Sequence, residues 1–145
     1  MTDSPSPIRH ETVRANGVAL HVARAGQGRP LVLLHGWPEF WLTWEPVVAR
    51  LADRFELIVP DLRGFGASEK PNPGPSDRAG ADVHAADIFG ILDALGIERA
   101  GLVGHDVGAS VGQALGRLAP EDIAAFEGLV QRWRDVARAD ADDVA

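Results

Sequence analysis

Polar and apolar residues alternate from His10 to Ala15, break at Asn16-Gly17, and resume through Val18, Leu20 and Val22. Asn-Gly between two alternating segments is a strong turn signal, because both positions accept left-handed backbone, so HETVRANGVALHVARAG predicts a β-hairpin. Three short apolar runs of another kind follow: Leu31 to Leu34, Phe55 to Val59 before Pro60, and Gly101-Leu102-Val103. Continuous apolar runs of this length suit strands buried on both faces, as in a parallel sheet. Between and after them the apolar period lengthens to that of a helix. FWLTWEPVVARLAD places Trp41, Trp44, Val48 and Leu51 on one stripe. ADVHAADIFGILDALG places Val83, Ile88, Ile91, Leu92 and Leu95 together and closes at Gly96. VGASVGQALGRLAP predicts a helix that packs closely through Gly108, Ala109 and Gly112.

A hairpin followed by alternating buried strands and helices is an α/β fold with a mostly parallel sheet. Residues 1–7 read as a flexible polar arm, and 8–120 as the folded core. Residues 121–145 read as a helical, acidic tail with Ile123, Phe126, Val130 and Trp133 at helical spacing. The longest irregular stretch is GFGASEKPNPGPSDRAG, rich in Gly, Pro and Ser.

Composition narrows the class. The 145 residues carry a formal charge of −7, with 14 Lys+Arg against 21 Asp+Glu. That balance argues against nucleic acid and anionic membrane as partners, since both need a basic footprint. There is no cysteine, hence no disulfide framework or thiolate metal site. No apolar run approaches a membrane span, and MTDSPSPIRH lacks the features of a signal peptide, so the expected setting is cytoplasmic.

In such sheets, sites form beyond the carboxyl ends of the strands. Three motifs fall there: HGWPE (35–39), DLRGFG (61–66) and GHDVG (104–108). Asp106 could be a plain helix N-cap. That role leaves its neighbours unexplained. A strand turning sharply into a helix crowds the positions two before and two after its tip, where Gly104 and Gly108 stand. Gly-x-nucleophile-x-Gly is the nucleophile elbow, with the helix N-terminus stabilising negative charge at the tip. Gly36 lets the preceding loop bend and Pro38 stiffens it. The backbone N–H groups of Trp37 and Val107 then become candidates for a two-donor oxyanion hole. His35 is read as a structural residue bonded to nearby backbone, Trp44 as core, and Asp61 and Arg63 as partners in local hydrogen bonds.

With these motifs, in this order, the chain resembles the α/β-hydrolase superfamily, and within it the epoxide hydrolases. The resemblance rests on His35-Gly36-Trp37-Pro38-Glu39, Asp61-Leu62-Arg63-Gly64-Phe65-Gly66-Ala67-Ser68 and Gly104-His105-Asp106-Val107-Gly108, and covers about Ile8 to Pro120. Haloalkane and haloacid dehalogenase-like hydrolases share the elbow. The resemblance implies a small-molecule epoxide or alkyl halide as substrate. Asp106 would attack an alkyl carbon to give an alkyl-enzyme ester, which a histidine-activated water then hydrolyses, with no metal or cofactor. It also implies parts not found here: a helical cap with tyrosines, further core strands, a second acid and a catalytic histidine. This chain has no tyrosine and no histidine after His105. His105 is expected to point away from the cleft, and His84 to begin a mid-chain helix. Two function classes follow: a hydrolase by ancestry that carries the first half of the mechanism and is inactive alone, or a non-catalytic remnant or interaction module. Without a following strand, residues 99–104 form an apolar edge, and self-association through it is expected.

Overall fold

The computed structural model describes residues 7–71 and 80–119. The expectations for most of the arm, for the middle of the Gly/Pro loop and for the 121–145 tail lie outside the described residues.

The hairpin forms as the alternation dictates. Strand β1 (Arg9–Ala15) pairs antiparallel with β2 (Val18–Ala25). Asn16 at φ +50 and Gly17 at φ +78 make the turn between them. Next come β3 (Arg29–Leu34), a 3-10 turn (Trp41–Trp44), helix α1 (Glu45–Leu51), β4 (Phe55–Pro60), α2 (Ala81–Ala94), β5 (Gly101–Gly104) and α3 (Val107–Leu118). They build a five-stranded sheet of order β1-β2-β4-β3-β5. β3 runs parallel to both β4 and β5, while β2 meets β4 antiparallel.

The helix expected over 40–53 is divided. Pro46 stands in the first turn of α1. It has no N–H to give to the carbonyl four residues back, so a regular α-helix begins there and not before, and the preceding residues take the tighter turn. Helix α2 ends as its sequence foretells: Gly96 has φ +69, its N–H meets Asp93 O at 3.1 Å, and Ile97 N–H meets Leu92 O at 2.9 Å. These are the paired bonds of a Schellman stop.

Helices cover both faces of the sheet. α2 and α3 pack on one side against Val22, Val32, Leu34 and Ile58. Trp41, Trp44 and α1 pack on the other against Ala23, Leu31, Leu33 and Leu57. Leu33, Leu34, Leu57 and Ile58 are fully buried. Each such side chain contributes roughly 2 kcal/mol of transfer free energy. Among the described residues β5 ends the sheet, next to β3.

Candidate active site

Three motifs meet at the carboxyl end of β3 and β5. Asp106 stands between β5 and α3 with φ +55 and ψ −116, so the chain reverses there in a conformation that non-glycine residues rarely adopt. Backbone of this kind costs on the order of 1–3 kcal/mol and survives only where the surroundings enforce it. The surroundings do enforce it. A Cβ on Gly104 would overlap the backbone of Gly108, and a Cβ on Gly108 would overlap the carbonyl of Leu34. Only glycine at both positions lets α3 come this close to β3 and β5. The tip carries an exposed carboxylate.

The Trp37 N–H donates to Asp106 Oδ2 at 2.9 Å. The Trp37 and Val107 amides, in that order of effect, hold the Asp106 carboxyl below the usual carboxylate range, and the nearby His105 adds to it. The Trp37 indole is 68% exposed, so this residue serves the site through its backbone. Gly36 is what allows the contact. A Cβ there would lie 2.6 Å from Asp106 Cβ and 3.0 Å from Oδ2. Gly36→Ala should therefore push Asp106 off the Trp37 amide, read as loss of hydrogen-exchange protection at Trp37. Unchanged protection would show that the loop absorbs the methyl group.

His35 is fully buried. Its Nδ1 lies 2.9 Å from Gly36 O, and its Nε2 accepts the Leu62 N–H at 3.0 Å. The ring is thus neutral with the proton on Nδ1, and burial keeps its pKa below the ordinary value. Both nitrogens are occupied, and the ring joins the HGWPE loop to the start of the DLRGFG loop. Pro38 follows Trp37 through a cis peptide bond in that loop. Trp44 is half-buried beside α1, with its indole N–H unpaired among the described residues.

Asp61 is a buried hub. It accepts the N–H of Trp41 at 2.7 Å and of Ala67 at 2.9 Å, and pairs with His21 Nδ1 at 2.9 Å. Arg63 departs from expectation, since its main partner is not local. It reaches Asp87 of α2 with two bonds, at 2.8 and 2.7 Å, and the Asn16 carbonyl at 3.3 Å. A carboxylate buried within an apolar helix stripe needs a cation; Asp87, next to Ile88, carried that signal and sequence reasoning passed over it.

His105 also departs from expectation. Its ring does not turn away: Nε2 lies 2.9 Å from Glu39 Oε1, on the loop that carries Trp37. Thr43 donates to the other Glu39 oxygen. Thr43 first, and then His105, hold the Glu39 carboxyl below its usual range. Glu39 Oε1 and Asp106 Oδ2 both lie 3.0 Å from the point a Gly36 Cβ would take, so two carboxylates flank Gly36. Only its place one residue after Pro38 in HGWPE marked Glu39. His84 is buried in the first turn of α2, where burial lowers its pKa; the nearby charges are Asp87 and Arg63, not Asp106.

A cavity of about 560 Å³ lies elsewhere, among Ile88, Phe89, Leu92, Ile97, Leu102 and Leu115. It opens beside the amino end of β5, away from the three motifs. Among the described residues no helix is long and apolar enough to cross a membrane.

Comparison with known proteins agrees with this fold. The family model described as "alpha/beta hydrolase fold" matches residues 29–139, running past Pro120. The soluble epoxide hydrolase of Corynebacterium sp. (strain C12) is 45% identical over 104 residues, covering 72% of this chain and 35% of that protein. Epoxide hydrolase 2 of Siraitia grosvenorii is 38% identical over 123 residues, covering 84% of this chain and 38% of that protein. The crystal structure of epoxide hydrolase VrEH1 from Vigna radiata superposes with a TM-score of 0.75 at 38% identity, covering 79% of this chain and 37% of that one. The chain thus spans little more than a third of these relatives' length. It belongs to the α/β-hydrolase fold family, and the three relatives named above are epoxide hydrolases.

Proposed function

We propose that Asp106 is the nucleophile of an epoxide-opening reaction that leaves an alkyl-enzyme ester. The observation that carries this reading is the Trp37 N–H on Asp106 Oδ2 at 2.9 Å, at the tip of a φ +55 turn. The Trp37 N–H holds Oδ2, and the other oxygen is left to attack. Attack forms a bond from that free oxygen to an epoxide carbon and breaks the ring C–O bond, and the alkoxide takes a proton from solvent. The held oxygen becomes the ester carbonyl. Water adding to the ester would place negative charge on that same oxygen, which the Trp37 N–H holds; the Val107 amide, the second group that lowers the Asp106 pKa, is the candidate second donor of an oxyanion hole.

Hydrolysis needs a base for water. His35 has both nitrogens engaged, His84 sits by Asp87 and Arg63, and the Nε2 of His105 is turned to Glu39. These 145 residues are therefore expected to open an epoxide and stop. With an aryl epoxide in excess, the covalent adduct should level off at about one equivalent per chain, with no diol released. Sustained turnover lost in Asp106→Asn would reveal a base within these residues and overturn the half-reaction. Because the amides depress the Asp106 pKa, its carboxylate stays ionised as pH falls through the ordinary carboxylate range. The labelling rate should hold level through that range and drop only below it. An alkyl halide would instead give a simple alkyl ester with release of halide, so halide release and adduct mass together separate a dehalogenase-like substrate choice from an epoxide one.

A second reading, a non-catalytic module that associates through residues 99–104, is favoured by the place of β5. It ends the sheet among the described residues, beside the apolar cavity. An unpaired edge next to exposed apolar surface invites strand addition. Light scattering after size-exclusion chromatography tests it: a dimer with β5 amides newly protected supports it, and a monomer at all concentrations contradicts it.

A further inference from the structure

We propose that His10 and His21 form a two-imidazole site for a late first-row transition ion, Cu²⁺ ahead of Ni²⁺ and Zn²⁺. The hairpin register opposes His10 to Ala23 and Thr12 to His21, so both histidines stand on one face of adjacent strands, diagonally placed. His10 Nδ1 lies 2.9 Å from His21 Nε2. The ring centroids are 5.1 Å apart with an interplanar angle of 18°. With the nitrogens so much closer than the centroids, the rings meet end to end, and a single proton lies between two lone-pair positions.

The second ring nitrogen of His21 is committed elsewhere. Its Nδ1 meets Asp61 Oδ2 at 2.9 Å, and Asp61 is itself buried and fixed by the Trp41 and Ala67 amides. The carboxylate takes the Nδ1 proton, which leaves Nε2 as a lone pair aimed at His10. A carboxylate behind a histidine in this way fixes the tautomer and the ring orientation of a metal ligand. The Trp41 ring lies edge-on to His10 at 5.1 Å. Two nitrogens about 2.0 Å from one ion span about 2.8 Å at a right angle and about 3.3 Å at a tetrahedral angle. The observed separation, set by the hydrogen bond, is within a few tenths of an ångström of both, so a small tilt of His10 suffices, and Cu²⁺ leads through the general affinity order of nitrogen ligands.

Binding asks little of the fold. His10 is exposed, so its ring is free to tilt until both lone pairs converge. Its proton passes through solvent from Nδ1 to Nε2, and no net proton is released from the neutral pair. Water fills the remaining positions. The other charges facing this patch are Arg14, opposite Ala19 on the same face of β1, and Glu69, whose Oε2 accepts the Ala19 N–H. No group of three or more His, Asp or Glu side chains among the described residues could hold a metal. The site has two protein ligands and is correspondingly open.

The test is a titration of the untagged chain with Zn²⁺ and with Cu²⁺, read by calorimetry and by histidine ring resonances. The absence of cysteine removes thiolate competition. The expected result is one equivalent bound, with His10 and His21 signals shifting (Zn²⁺) or broadening (Cu²⁺) before the other three histidines. In His10→Gln, whose site is exposed and whose fold is checked by the unchanged remaining resonances, affinity should fall about ten-fold or more. Binding within two-fold of the parent in His10→Gln overturns the site. So do first shifts at His35, His84 or His105, or no saturable binding.

Discussion

Gly108→Ala should destabilise the chain by about 3 kcal/mol, the upper range for forcing atoms into a packed position, and lower Tm by on the order of 10 °C. The added methyl group meets the Leu34 and His35 carbonyls, which are backbone and cannot rotate away. α3 would have to leave β3, and Asp106 would lose the turn that presents it. Gly104→Ala should act alike, since its methyl group meets Gly108 O and Ala109 N. The control is in the same helix. A Cβ on Gly116 meets nothing within 4 Å, so Gly116→Ala should gain up to about 1 kcal/mol from helix propensity. Thermal unfolding by circular dichroism compares the three. Equal effects at 108 and 116 would show that the close approach of α3 to β3 is not what requires glycine.

Asp61→Ala should cost a further class of stability, about 3–5 kcal/mol, because a buried charge group leaves several partners unpaired at once. Those partners are the Trp41 and Ala67 amides and the His21 ring. The Ser68 hydroxyl also donates to the Asp61 carbonyl at 2.6 Å and accepts the His21 N–H at 2.9 Å, so the DLRGFG loop folds back on β2 through this one neighbourhood. Gly66 belongs to the same arrangement: it has φ +52, and a Cβ there would overlap the Asp61 carboxylate. Urea unfolding should show a lower midpoint with an unchanged slope. A loss under about 1 kcal/mol would mean that water replaces the carboxylate, and that the hub is not what holds the loop.

Local chemistry explains which features the sequence disclosed. Asn16-Gly17 and Gly96 stop their elements through backbone angles that few residues accept, and such positions announce themselves. The elbow is legible for the same reason, since Gly104 and Gly108 are spaced by the crowding they relieve. Pro46 marks where the regular helix begins, while the apolar stripe from Trp41 onward runs straight across that boundary. Long-range pairing left no comparable mark. Arg63 with Asp87 and Glu39 with His105 join residues far apart in sequence, and which charge meets which depends on the path of the whole sheet. The proximity of Gly36 to Asp106 is of this kind: Gly36 reads as a bend in its own loop, and only the fold shows that a side chain there would strike the carboxylate.

The most direct measurement is intact-mass analysis of the chain after incubation with a reactive aryl epoxide, followed by peptide mapping. The central claim is that the amide-held carboxylate of Asp106 attacks carbon. It predicts a single adduct of the epoxide's mass, mapped to Asp106 as an ester labile to hydroxylamine, and absent in Asp106→Asn. An adduct that persists in Asp106→Asn, or that maps to Glu39 or to a histidine, would contradict it.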